Sequence, residues 1–117
     1  MTKNTFNTSE LAQFTGSETW YKHLTGGLFT EGVKYLADHA GAYWLIDEIM
    51  FRQRLRAVRR EEFQVWKLTV SGSEAVLRCE DGNHNVVHTK RIEFTDFPLP
   101  EVQLWFVGGT LLLPSEY

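Results

Sequence analysis

The hydrophobic pattern changes period once, near residue 60, and that switch constrains the fold more than any other feature of the sequence. Before it, Val33, Leu36, Ala37 and Ala40 recur at i, i+3, i+4 and i+7, the stripe of an amphipathic helix. After it, Trp66, Leu68 and Val70 alternate with Val65, Lys67 and Thr69, the two-residue period of a half-buried strand. One α+β domain over residues 1–117 is expected, with N-terminal helices (about residues 9–60) packed on one face of a five-stranded antiparallel β-meander. Residues 1–8 lack either period and are expected to form a loose arm.

Local signals place the elements. Thr15 followed by Glu18 reads as a capping box opening a short helix that carries Trp20 and Tyr21 and stops at Gly26-Gly27. Thr30 can cap the next helix, and Gly41 can end it. A long helix is expected over residues 42–60, but its apolar face does not run true. Ala42, Leu45, Ile46, Ile49 and Met50 share one side, whereas Phe51, Leu55 and Val58 fall almost opposite. Arg52, Arg56, Arg59 and Arg60 take over the sector that Leu45 and Ile49 held, with Arg54 apart. Either this helix kinks near Arg52, or its far end leaves the core and presents a basic stripe. Strands are expected over residues 63–70, 75–80, 85–94, 102–107 and 110–113. Ser71-Gly72-Ser73 and Asp81-Gly82 turn the first three, Pro98 and Pro100 make a corner, and Gly108-Gly109 forms a two-residue hairpin loop that sets Phe106 opposite Leu111.

Composition narrows function by exclusion. With 43% apolar and 14% aromatic residues, a chain of this length has ample material for one core. Its single cysteine, Cys79, permits neither an internal disulfide nor a cysteine zinc site, and it lies on the apolar side of a strand, where an inert core role is expected. His84 and His88 stand about 13 Å apart if extended, too far to share an ion, so no metal and no cofactor are expected. Neither a Gly-x-Ser-x-Gly elbow nor a phosphate-binding glycine loop is present. The acidic pairs Asp47-Glu48, Glu61-Glu62 and Glu80-Asp81 point their neighbours in different directions, so solvated charge is the expected role. Residues 1–10 are polar, and no apolar run approaches the ~20 residues that span a bilayer, so no membrane association and a cytoplasmic location are expected.

Six stretches carry a resemblance. They are Phe14-Thr15-Gly16-Ser17-Glu18-Thr19-Trp20-Tyr21, Gly32-Val33-Lys34-Tyr35-Leu36-Ala37, Gly41-Ala42-Tyr43-Trp44-Leu45-Ile46-Asp47, Phe63-Gln64-Val65-Trp66-Lys67-Leu68, Ile92-Glu93-Phe94-Thr95-Asp96-Phe97-Pro98 and Leu111-Leu112-Leu113-Pro114-Ser115-Glu116-Tyr117. Together, from Ser9 to Tyr117, the chain resembles a family of short proteins of bacteria, cyanobacteria, plasmids and phages filed as a domain of unknown function. The resemblance implies a mobile-element setting and transfers no catalytic residues.

Two functional readings follow. Arg52, Arg56, Arg59 and Arg60, with Trp20 and Tyr21 as the aromatic pair expected to be part-exposed, could hold a protein partner, since Trp, Tyr and Arg dominate binding hot spots. On that reading the chain is a small non-enzymatic interaction protein that binds, and can inhibit, a host or defence protein. Alternatively the same arginines contact nucleic acid, against a net charge of -3 that offers no global attraction. A salt-bridged, merely solvated face is the plain alternative to both. An extended positive face with exposed Trp20 would favour nucleic acid, and a flat apolar patch rimmed by charge would favour protein.

Overall fold

The computed structural model describes residues 8–117. Along the chain run α1 (Thr8–Leu11), β1 (Trp20–Lys22), β2 (Leu28–Thr30), α2 (Glu31–Ala40), α3 (Tyr43–Arg52), α4 (Arg56–Arg59), β3 (Phe63–Ser71), β4 (Glu74–Glu80), β5 (Val86–Ile92), β6 (Glu101–Val107), β7 (Thr110–Leu112) and a 3₁₀ turn at Pro114–Glu116. The expected α+β class holds. The sheet does not match the expected five-stranded antiparallel meander: it has seven strands in the order β1-β2-β7-β6-β3-β4-β5, and β2 pairs with β7 in parallel.

The helix expected around Trp20 and Tyr21 is instead β1, paired antiparallel with β2 through Tyr21↔Phe29 and closed by the Gly26-Gly27 turn. Thr15 opens no helix. Ser17 explains the outcome, because its hydroxyl donates to the Thr19 carbonyl and accepts from Glu31 N–H, drawing the segment onto the start of α2. Of the expected arm, residues 1–7 lie outside the described residues, and Thr8 begins α1.

α2 begins and ends as its sequence dictates: Thr30 accepts from Val33 N–H, and the left-handed Gly41 closes the C-terminus. The long helix expected over residues 42–60 is two helices. At its break Gln53, Arg54 and Leu55 donate to Met50, Phe51 and Arg52, the tighter three-residue step, and Leu55 then turns extended. The break resolves the displaced apolar face. A straight helix would carry Val58 away from the core that holds Ile49, whereas the reorientation buries Val58 completely.

The core is the helix-facing side of the sheet. Trp66 and Leu68 of β3, Leu77 and Cys79 of β4, Leu104 and Phe106 of β6 and Leu111 of β7 meet Val33 and Leu36 of α2 and Leu45, Ile49 and Met50 of α3. Ile92 packs at its margin, opposite Ala75. Gly108 and Gly109, both at positive φ, make the two-residue turn that sets Phe106 against Leu111 as expected. The second hairpin is longer than Asp81-Gly82 suggested, because the Asp81 carboxylate gathers the N–H groups of Asn83 and Asn85, and His84 takes the left-handed conformation.

Candidate interaction surface

The break between α3 and α4 positions the arginines, and a buried amide network holds the break. Gln64 of β3 is fully buried and exchanges hydrogen bonds with Gln53 in both directions (2.8 and 2.9 Å). Its Nε2 also reaches the carbonyls of Val58 and Glu61, and its Oε1 accepts from Trp66 Nε1 at 2.9 Å. Gln53 adds a bond to the Ile49 carbonyl. Core, turn and α4 are thus locked together by groups whose loss would leave buried polar atoms unsatisfied.

The structure sorts the four arginines of the sequence-predicted stripe. Arg52 does not belong to a free face: it donates from Nε and Nη2 to Glu48 Oε2 at 3.2 and 2.7 Å, and Lys90 closes on the same carboxylate at 3.2 Å. Burial opposes ionisation of Glu48, but the hydrogen bonds from Arg52 and Lys90 prevail and hold its carboxyl below the usual range. Arg56, Arg59 and Arg60 lie on or just after α4 and are exposed. Arg54, which the helical wheel set apart, is brought beside Arg59, whose Nη1 donates to the Arg54 carbonyl at 2.8 Å. Arg60 approaches Glu61 at 3.6 Å, and among the described residues neither Arg54 nor Arg56 has an ion-pair partner.

Arg54 and Arg59 border an open cavity of about 370 Å³, together with Gln53, Met50, Phe106, Gly27 and Thr25. Thr25 arrives on the β1–β2 turn, a contact with no local signature in the sequence. The turn is fixed by His23, which is buried. Thr25 N–H donates to His23 Nδ1, so that nitrogen is an acceptor and the ring proton sits on Nε2, 2.7 Å from Asp47 Oδ1. Thr25 Oγ1 lies 2.9 Å from the same Nδ1. Leu24, at the tip of this turn, is 84% exposed, and Leu55 is exposed nearby in sequence to Arg54. A slightly larger cavity, about 430 Å³, borders α1, where Leu68, Leu99, Val102 and Leu113 are joined by Lys67, Glu101 and Gln103.

Trp20 and Tyr21 sit on the edge strand β1, not on a helix. Trp20 is 52% exposed, while Tyr21 is half-buried, stacked on Phe29 and covered by the Lys34 ammonium. The two alternate across the sheet, so they do not form one aromatic surface. A different aromatic group does: Phe63, Trp105 and Tyr117 have ring centroids 5.0 to 5.6 Å apart on the helix-free face of the sheet. Val65, opposite Trp105, and Val107, opposite Phe63, extend this patch, and further along the same strands Lys67, Thr69, Gln103 and Glu101 make the face polar. The period-2 pattern contains that signal, because β3 and β6 each begin or end with apolar residues on both faces.

Cys79 is buried, and burial, reinforced by Glu61, Glu80 and Asp81, pushes its thiol up to about 12. Its cross-strand neighbour His88 has a buried Nε2 without a hydrogen-bond partner among the described residues, and burial, then Arg52, lowers its pKa. His84 lies exposed in the turn, away from this strand position. No described helix is long and apolar enough to cross a membrane.

No curated protein and no solved structure matches the chain. A family model does, over residues 5–117, and by that match the chain belongs to the family of unknown function DUF6876.

Proposed function

We propose that this chain is a non-enzymatic interaction protein whose arginine-rich corner, Arg54, Arg56, Arg59 and Arg60, binds an acidic surface of a protein partner. The observation that carries the reading is the division of labour in α4: one residue, Val58, is buried, while the arginines around it are exposed and Arg54 and Arg56 have no carboxylate among the described residues. Arginine's planar fork suits carboxylates, and its exposure here supplies donors that the fold does not use. A protein partner is favoured over nucleic acid by the distribution of charge. The basic groups are followed in sequence by Glu61 and Glu62, and the sheet's open face carries an apolar aromatic patch beside polar residues. In the mobile-element setting that the resemblance implies, the partner is a host or defence protein that binding inhibits.

The test is capture with the tagged chain from host cells, with and without nuclease, followed by identification of the retained protein. The reading expects one dominant protein, unchanged by nuclease and released by moderate salt. Loss of capture on nuclease treatment, with a steep salt dependence through counterion release, would transfer the corner to nucleic acid.

A further inference from the structure

The cavity between the β1–β2 turn and the α3–α4 break has an unusual donor inventory. Every neutral polar side chain that lines it is already engaged. Gln53 donates to the Ile49 carbonyl and to Gln64, and its oxygen accepts from Gln64. Thr25 Oγ1 lies 2.9 Å from His23 Nδ1. What remains is an apolar floor, Met50 and Phe106, with Gly27 so close that a Cβ there would stand 2.6 Å from Met50 Sδ. Arg54 and Arg59 complete the lining. Arg59 is held in place by its bond to the Arg54 carbonyl, which uses one of its five N–H donors, and Arg54 has no ion-pair partner among the described residues. A carboxylate matches these side chains in charge and can take their spare N–H donors.

We infer that this cavity is a carboxylate-binding subsite: the partner inserts a residue that carries a carboxylate on a short apolar body, with the carboxylate between Arg54 and Arg59 and the apolar part on Met50 and Phe106. The inference rests on the reading of the arginine corner as a protein-binding surface and names the chemistry by which that surface anchors. A C-terminal aliphatic residue has the required form.

N-acetyl-leucine, a carboxylate on an apolar body, and N-acetyl-leucinamide, the same body without the charge, are titrated into the intact protein while backbone amide shifts are followed by NMR. The acid is expected to shift Thr25, Gly27, Arg54 and Arg59 together, saturably, with a millimolar Kd. The amide is expected to bind at least about tenfold more weakly, as loss of a charge-assisted pair requires. Arg54→Gln/Arg59→Gln is expected to abolish the acid's shifts while its unperturbed spectrum elsewhere shows an intact fold. Equal binding of acid and amide, shifts that persist in that variant, or shifts scattered over all cationic residues would overturn the subsite. Capture that survives Arg54→Gln/Arg59→Gln but is lost in Arg56→Gln/Arg60→Gln would also overturn it while leaving the protein-binding reading intact. Capture that survives both variants would remove that reading instead.

Discussion

The start of α2 and the break between α3 and α4 treat polar groups in opposite ways. At the start of α2 the N–H groups of Glu31, Gly32 and Val33 donate to three different side chains, Ser17 Oγ, Glu116 Oε2 and Thr30 Oγ1. Glu116 reaches this point from the 3₁₀ turn, where its Oε1 also takes the Thr30 hydroxyl at 2.6 Å and Leu113 N–H at 2.9 Å. A carboxylate at a helix N-terminus is favoured by the dipole, and here it is held by three donors. Gly32 permits the approach, since a Cβ there would meet Leu113 Cδ1 at 2.6 Å and Glu116 Cδ at 2.8 Å. At the α3–α4 break the buried groups are equally well satisfied through Gln64, yet the charges outside, Arg54 and Arg56, have no ion-pair partner among the described residues. Charge that serves the fold is matched closely at the start of α2. The arginine corner is charge that the fold does not require, which is why it reads as a surface for something else.

That contrast can be broken experimentally, beginning where the fold depends most on its contacts. Trp66→Ala removes a fully buried indole and the donor to Gln64 Oε1, and is expected to cost ~3–5 kcal/mol in urea unfolding. A near-neutral result would mean that Trp66 does not fill the core. Glu116→Ala is expected to cost roughly 1.5–3 kcal/mol, since it strips a charged acceptor from three donors. If its unfolding midpoint matches that of the parent, the clamp at α2 contributes nothing and the comparison loses one side.

A smaller effect is expected from pH. His88 has its pKa lowered in the folded protein by burial first and Arg52 second, with Glu48 opposing and Lys90 adding to the shift. The unfolded chain takes up that proton near pH ~6.5 and the folded chain only at lower pH, so this group withdraws stability as pH falls below ~6.5 and is silent above it. His88→Gln, which cannot titrate, is expected to flatten the fall in urea midpoint between neutral pH and the onset of carboxylate protonation. An unchanged slope would show that His88 is not the group responsible.

Much of the fold was legible because its signals are local. Thr30 and Gly41 bound α2 correctly, Trp66, Leu68 and Leu77 lie in the core as their alternation indicates, and Gly108-Gly109 sets the last hairpin. What escaped is long-range. β1 and β2 are three residues each, too short for a period, and β2 is a strand because residues 28 and 29 find residues 110 and 111 in parallel register. Of the arginines, Arg52 carried a readable warning in Glu48 four residues earlier, the spacing of a helical ion pair. Arg54 could not be placed from a helical wheel, because its position depends on the break at Leu55. The partnership of Thr25 with that break is tertiary and left no mark on either segment.

The smallest structural effect and the most direct test belong to the same variant. Arg54→Gln/Arg56→Gln/Arg59→Gln/Arg60→Gln replaces four exposed side chains, each expected to move stability by less than about 0.5 kcal/mol. Titration of the captured partner into parent and variant, each checked by its urea midpoint, decides the matter. The account predicts an intact fold and binding weakened at least about a hundredfold, as expected when several charge-assisted contacts are lost together. Parent-like affinity in the folded quadruple variant would contradict it.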